Sequence, residues 1–255
     1  MNHELFPILE FDPDPTAFID PQMLLQPIDI ARRCVLCFFQ DILQQMHTDG
    51  RLKVIYQLGS EIGKNPVYEM EVEGERVAVL HPGVGAPLAG AFLEEIIALG
   101  CRDFIACGGC GVLNGEIGLG HVVVPATAVR DEGISYHYLP PSREAAAHPE
   151  AVQAIEQALQ THHVPYVVGK TWTTDAVYRE TPARIARRRE EGCHVVEMES
   201  AAFFAIAQFR GARFGQLLYG GDDLTGDAWD NRNWQKASST RAHLFQLAVE
   251  AVLRL

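Results

Sequence analysis

The segment VVEMES at 195–200 sets two carboxylates, Glu197 and Glu199, at the end of an apolar run and directly before an apolar helical stretch. Side chains alternate along a strand, so both carboxylates are expected on one face with Met198 on the other. A carboxylate held there can accept hydrogen bonds from two vicinal sugar hydroxyls, and its charge favours a ring that becomes cationic. Acidic residues also complement a helix N-terminus, a role that accounts for one glutamate more readily than for two. A second acidic pair, Asp222 and Asp223, closes the last apolar run in YGGDDL at 219–224. A partly desolvated carboxyl is held toward its neutral form and can hand a proton to a departing group. That makes Asp222 the candidate acid, against a plainer reading as a turn-forming pair.

Two glycine-rich segments accompany these acids. HPGVGAP at 81–87 carries Gly83 and Gly85 where a strand gives way to a helix, leaving backbone N–H groups for an anion or a hydroxyl, or simply making a tight turn. CGGCGVL at 107–113 has Gly108, Gly109 and Gly111 around Cys110. Such a density lets a ligand ring approach the main chain at a cost in chain entropy.

The elements that must position these groups follow from hydrophobic periodicity. CVLCFF (34–39) reads as a short buried strand and DILQQMHTDG (41–50) as a helix. KVIYQLG, PVYEMEVEG and RVAVLHPG read as three strands, with a hairpin at Glu73 and Gly74. Beyond them, AGAFLEEIIALG, HPEAVQAIEQALQTH, TPARIARRREEG, AAFFAIAQFRG and the C-terminal STRAHLFQLAVEAVLRL have helical spacing. Between those helices lie the apolar strands DFIACGG, HVVVPATAV, VPYVVGKTWT, HVVEMES and RFGQLLYGGD. Strand and helix in alternation, with glycines at strand ends, predicts a three-layer α/β/α sandwich on a mixed, mostly parallel sheet. Residues 1–33 carry five prolines and no period, and read as an irregular arm that wraps a neighbour or covers an edge; 34–255 reads as one domain.

Bulk composition narrows the partners. The 255 residues are 47% hydrophobic and 21% charged, enough for one large core. A net charge of −12 opposes nucleic-acid binding, and the basic stretch RIARRR (184–189) reads as a solvated helix face. No apolar run is long enough to span a membrane, and no leader pattern opens the chain, so a cytoplasmic location is expected. The six cysteines lie mostly in apolar runs, as buried free thiols do; the Cys34/Cys37 and Cys107/Cys110 spacings are weighed as a metal or redox site and set aside, so no metal is expected.

In this order the segments CGGCGVLNGEIGLGHVVVP, VGKTWTTDAVYRET, VVEMESAA and LLYGGDDL resemble the nucleoside phosphorylase and nucleosidase superfamily, from about Val35 to the C-terminus. The resemblance implies an active site at the strand ends near a subunit interface of a homo-oligomer, a dimer or a trimer of dimers. It implies that Glu199 holds the ribose hydroxyls, that Met198 lies beneath the sugar and that Glu197 is the acid before it. Asp222 matches the aspartate that protonates the base in purine-acting members. Val177 and Tyr178 fall where base or sugar is contacted, and Cys110 and Gly111 fall on the loop beside the base. The implied reaction is cleavage of a purine nucleoside with inorganic phosphate as co-substrate and no other cofactor; the alternatives are a nucleosidase using water, or a binder without catalysis.

The resemblance is incomplete at the nucleophile. Phosphorylases hold phosphate with a Gly-Asp-Pro-x-Arg loop, a strand arginine and a hydroxyl residue, where this chain has FFQDI (38–42), Ala106 and Gly109. Weak substitutes are Gln40, Asp41, the backbone at Gly85, Gly108 and Gly109, and Lys64, which lies beside the expected place of an arginine lent by a neighbouring subunit.

Overall fold

The computed structural model describes residues 3–234 and 237–255. After a single helical turn, α1 (Pro21–Leu24), the chain runs β1 (Arg33–Cys37), α2 (Gln40–Thr48), β2 (Lys53–Ser60), β3 (Gly63–Val72), β4 (Glu75–Leu80), α3 (Ala86–Leu99), β5 (Asp103–Val112) and β6 (Val122–Asp131). It continues through β7 (Glu144–Ala146), α4 (Pro149–Thr161), β8 (Tyr166–Thr174), α5 (Pro182–Glu190), β9 (Cys193–Glu197), α6 (Ser200–Arg210), β10 (Arg213–Asp223) and α7 (Ser238–Leu253). The mixed sheet with helices on both faces is the architecture that the alternating pattern requires. One core packs α3 and α6 on one face through Phe92, Ile96, Phe203 and Phe204. The opposite core packs α2, α4 and α7 through Leu43, Ile155, Phe245 and Val252. Strands such as β1 and β5, covered on both faces, accordingly read as continuous apolar runs.

The sheet also closes on itself. β5 lies parallel to β1 and to β10 and meets β9 antiparallel, while β10 pairs β6, β6 pairs β8 and β8 pairs β9. A five-stranded ring results, and β4, β3 and β2 extend from it through β1. Closure draws the C-terminal ends of β5, β9 and β10 together, which brings distant segments to one place.

Three details differ from the sequence reading. β1 stops at Cys37, and Phe39 instead caps α2. β5 runs through the whole glycine segment to Val112, because β10 pairs it residue by residue, Gly108 with Leu218 and Gly109 with Tyr219. The basic stretch is not wholly solvated. Arg188 is 8% exposed, lies over the Trp172 ring and bonds Asp131 and Glu191 at 3.0 and 3.1 Å. All six cysteines are buried free thiols. The N-terminal segment runs past the end of α3, where the Ile28 N–H donates to the Leu99 carbonyl. No helix among the described residues is long and apolar enough to cross a membrane.

Candidate functional site

The strand β9 delivers Glu197 into a ring of donors. Its Oε1 accepts from the Thr173 hydroxyl at 2.6 Å and the Thr171 hydroxyl at 3.3 Å, and its Oε2 accepts from the N–H groups of Glu199 and Ser200 at 2.7 and 2.6 Å. Glu197 therefore closes the N-terminus of α6, where N–H groups have no intrahelical acceptor. Burial pushes its pKa up, and these donors oppose the push. The plain structural role weighed for the pair belongs to this glutamate.

Glu199 is left for chemistry. It is 5% exposed, and its Oε1 accepts the Gly85 N–H at 2.6 Å. Burial first, and the nearby charge of Glu197 second, push its pKa up to about 8, with the Gly85 N–H opposing. A carboxyl poised this way gains most when a ligand brings hydroxyl donors or positive charge. Gly85 is therefore not a free donor for an anion. Its φ of +88° turns the N–H toward Glu199, and Gly83 is engaged as well, donating to His81 Nδ1 at 3.0 Å. Met198 does not point away: the strand has ended at Glu197, and the half-buried Met198 lines the same cavity as both glutamates.

That cavity, about 290 Å³, also receives Asp222 from the end of β10. Asp222 Oδ2 accepts from Trp229 Nε1 at 2.7 Å, while Asp223 turns away to pair with Arg232. Cys110, Gly108, Gly109, Gly111 and Val177 line the cavity too. The glycines have packing reasons of their own. A Cβ on Gly111 would lie 2.7 Å from Leu224 and 2.9 Å from Val196, one on Gly108 would lie 3.1 Å from Phe38, and one on Gly109 3.3 Å from the Tyr219 ring. The Cys110 thiol donates to the Tyr219 carbonyl at 3.3 Å, and burial holds its pKa well above the ordinary thiol value, so it is no nucleophile.

Other candidates fall outside this wall. Tyr178 is 97% exposed and does not line the cavity, and neither does exposed Gln40 or Lys64, the latter on the β2–β3 hairpin. Asp41 is engaged by Arg241 Nη1 at 2.9 Å. Conversely, the cavity holds residues that sequence reasoning passed over. Glu180, on the loop before α5, has its pKa raised to about 7 by burial and by the charge of Asp222. Trp234 and Arg241 enter from the C-terminal segment. Only Glu180 had a signal, its place in the VYRET stretch already marked for Val177 and Tyr178.

The chain is similar to known proteins along most of its length. It is 26% identical to guanosine phosphorylase of Halorubrum lacusprofundi over 189 residues, covering 72% of this chain and 78% of the relative. It is 27% identical to uridine phosphorylase of Escherichia coli over 202 residues, covering 74% and 79%. Among solved structures, AMP nucleosidase from Bacteroides thetaiotaomicron superposes with a TM-score of 0.73 at 22% identity, covering 90% of each chain, a likeness of fold. The family model described as the phosphorylase superfamily matches residues 32–254, and to that family this chain belongs.

Proposed function

We propose that this protein breaks the N-glycosidic bond of a purine nucleoside by a dissociative substitution at the anomeric carbon, with inorganic phosphate as co-substrate. The observation that carries this reading is the convergence of Glu199, at the head of α6, and Asp222, at the end of β10, on one cavity beside Met198. Glu199 accepts hydrogen bonds from the ribose hydroxyls, and its anionic form gains as the sugar becomes oxocarbenium-like. Glu197 is a positioning residue, holding the backbone of Glu199. At the other end Asp222, oriented by Trp229, supplies a proton to the departing base.

A purine is favoured by Glu180, which lines the same cavity as Asp222 and whose carboxyl, raised to about 7 by burial and by the charge of Asp222, keeps a proton available to a base that must gain one. That proton is lost above about pH 7, the value to which Glu180 is raised. The alkaline limb of kcat/KM should therefore start near that pH. Glu180→Gln, which cannot ionise, should remove that limb; a limb that stays in place would exclude Glu180 as the group that sets it.

Hydrolysis is the second reading, favoured by Ala106 and Gly109 standing where phosphate ligands are expected. Incubation with inosine, adenosine, uridine and methylthioadenosine, with and without phosphate, separates the cases. Base release from purines only with phosphate supports the proposal, release without it supports a nucleosidase, and no release leaves a binder. The rim of the cavity exposes Val84 at 62% and Val177 at 46%. Self-association, as a dimer or trimer of dimers, would cover such a surface, and a monomer by light scattering would exclude it.

A further inference from the structure

The basic stretch 184–189 does more than pack Arg188 on Trp172. α5 sets Arg184, Arg187 and Arg188 three and four residues apart, so the three guanidiniums share one face of the helix. Arg143, the residue before β7, joins them, and these four arginines with Ala183 line a cleft of about 370 Å³. That volume is in the range of small-molecule sites, and among the described residues no carboxylate lines it. The acids that bond these arginines stay outside the cleft. Asp131, at the end of β6, accepts from Arg188 Nη2 at 3.0 Å, and Glu191 accepts from Arg188 Nη1 at 3.1 Å and from the Arg143 guanidinium. Asp131 is shared further: it accepts from Trp172 Nε1 at 3.0 Å and lies 3.6 Å from Arg184 Nη1. Arg187 takes part in no ion pair among the described residues.

Four guanidiniums against two carboxylates leave an excess charge of two at one spot of a chain whose net charge is −12. Like charges so spaced destabilise a helix, and an anion set among them reverses that effect. Arg188 is fixed at both tips of its fork and over the Trp172 ring, and Arg143 is held by Glu191. Two walls of the cleft are thus in place before a ligand arrives, which lowers the ordering cost of binding. Arg184 and Arg187 carry the excess charge. A guanidinium fork meets two phosphate oxygens at once, so two forks one helical turn apart suit two adjoining phosphates. A nucleic-acid backbone would need cations along a track, and here they are confined to one cleft on an acidic chain. We infer that this cleft binds a di- or triphosphate group, gripped by Arg184 and Arg187 between the fixed Arg143 and Arg188. It shares no residue with the strand-end cavity, and the binding does not depend on whether nucleosides are cleaved there. Two sources carry this chemistry: a free inorganic di- or triphosphate, and the phosphate tail of a nucleotide.

The test titrates pyrophosphate, tripolyphosphate and ADP by calorimetry into the wild-type protein, Arg184→Gln, Arg187→Gln, Arg187→Lys and the double Gln variant. Each titration is run with and without adenosine, which occupies the strand-end cavity and leaves the cleft open. Each single Gln variant should weaken pyrophosphate by about 10-fold, the low end for a charge-assisted contact on an exposed side chain, and the double variant should lose more than either. Arg187→Lys should fall between Arg187→Gln and wild type, since a point charge replaces the fork. Both side chains are exposed, so Tm should stay close to wild type in every variant. Binding should weaken as salt is raised and should be indifferent to adenosine. ADP bound as tightly as pyrophosphate supports the nucleotide tail as the source; pyrophosphate bound with ADP refused supports the free diphosphate. The proposal is overturned by an absence of saturation with all three probes at about 1 mM, by unchanged affinity in the double variant, or by loss of binding when adenosine is added. A single-stranded RNA that binds more tightly than tripolyphosphate through the same two arginines would also overturn it, assigning the cleft to nucleic acid instead.

Discussion

Glu199→Ala is expected to lower kcat/KM for nucleoside cleavage by about 10²- to 10⁴-fold, with both affinity and turnover reduced. The magnitude follows from two hydrogen bonds between a carboxylate and sugar hydroxyls at about 1.5–3 kcal/mol each, converted at about 1.4 kcal/mol per factor of ten. Those bonds strengthen as the sugar gains positive charge, so kcat falls as well as KM rising. Loss confined to KM would assign Glu199 to binding alone. The isosteric Glu199→Gln variant adds a stability readout. With a folded pKa of about 8 against an ordinary 4.5, native Glu199 keeps a proton that the unfolded chain has lost between those values. Stability from this site is thus greatest at low pH and declines as pH rises across that window. Glu199→Gln, which cannot ionise, should lack that decline: its Tm should match wild type at pH 5 and exceed it at pH 8. Parallel Tm curves for the two proteins would show that Glu199 is not held neutral.

How these carboxyls came to be found, and others missed, has a physical explanation. Periodicity located nearly every helix and long strand because each element buries a face, and VVEMES and YGGDDL were legible because charge at the end of an apolar run is costly without a purpose. What periodicity could not convey was where a strand stops. Alternation was extended past Glu197, which put Met198 on the wrong side and gave both glutamates one task; in fact chain turning at Glu197 makes it a helix cap and leaves Glu199 facing the cavity. Closure of β5 against both β9 and β10 is likewise a long-range pairing with no local signal. Glu180 and Arg241 were passed over because an acid in a loop and an arginine on an amphipathic helix look like ordinary surface residues. Their meaning comes from the cavity that long-range pairing creates. Gly85 shows the converse: its open backbone N–H was legible, but its acceptor, Glu199, lies 114 residues away.

Asp222→Asn should slow purine release by at least about 100-fold, at the low end of the 10²–10⁴ range for a positioned acid, while adenosine binding stays within a few-fold of wild type. The amide keeps the shape of the carboxyl and can still accept from Trp229 Nε1 through its oxygen, so the loss reports the proton and not the packing. Two companion variants sharpen the assignment. Trp229→Phe removes the 2.7 Å hydrogen bond, and because Trp229 is 64% exposed it should cost little stability. Its effect on turnover should be smaller than that of Asp222→Asn, since it disturbs the orientation of the acid without removing it. A riboside whose leaving group departs readily as an anion, such as p-nitrophenyl riboside, needs no proton and should be cleaved by Asp222→Asn at close to the wild-type rate. Equal slowing on that substrate and on inosine would mean that Asp222 stabilises the site in some other way, and acid catalysis from β10 would then have to pass to Glu180, its neighbour across the same end of the cavity.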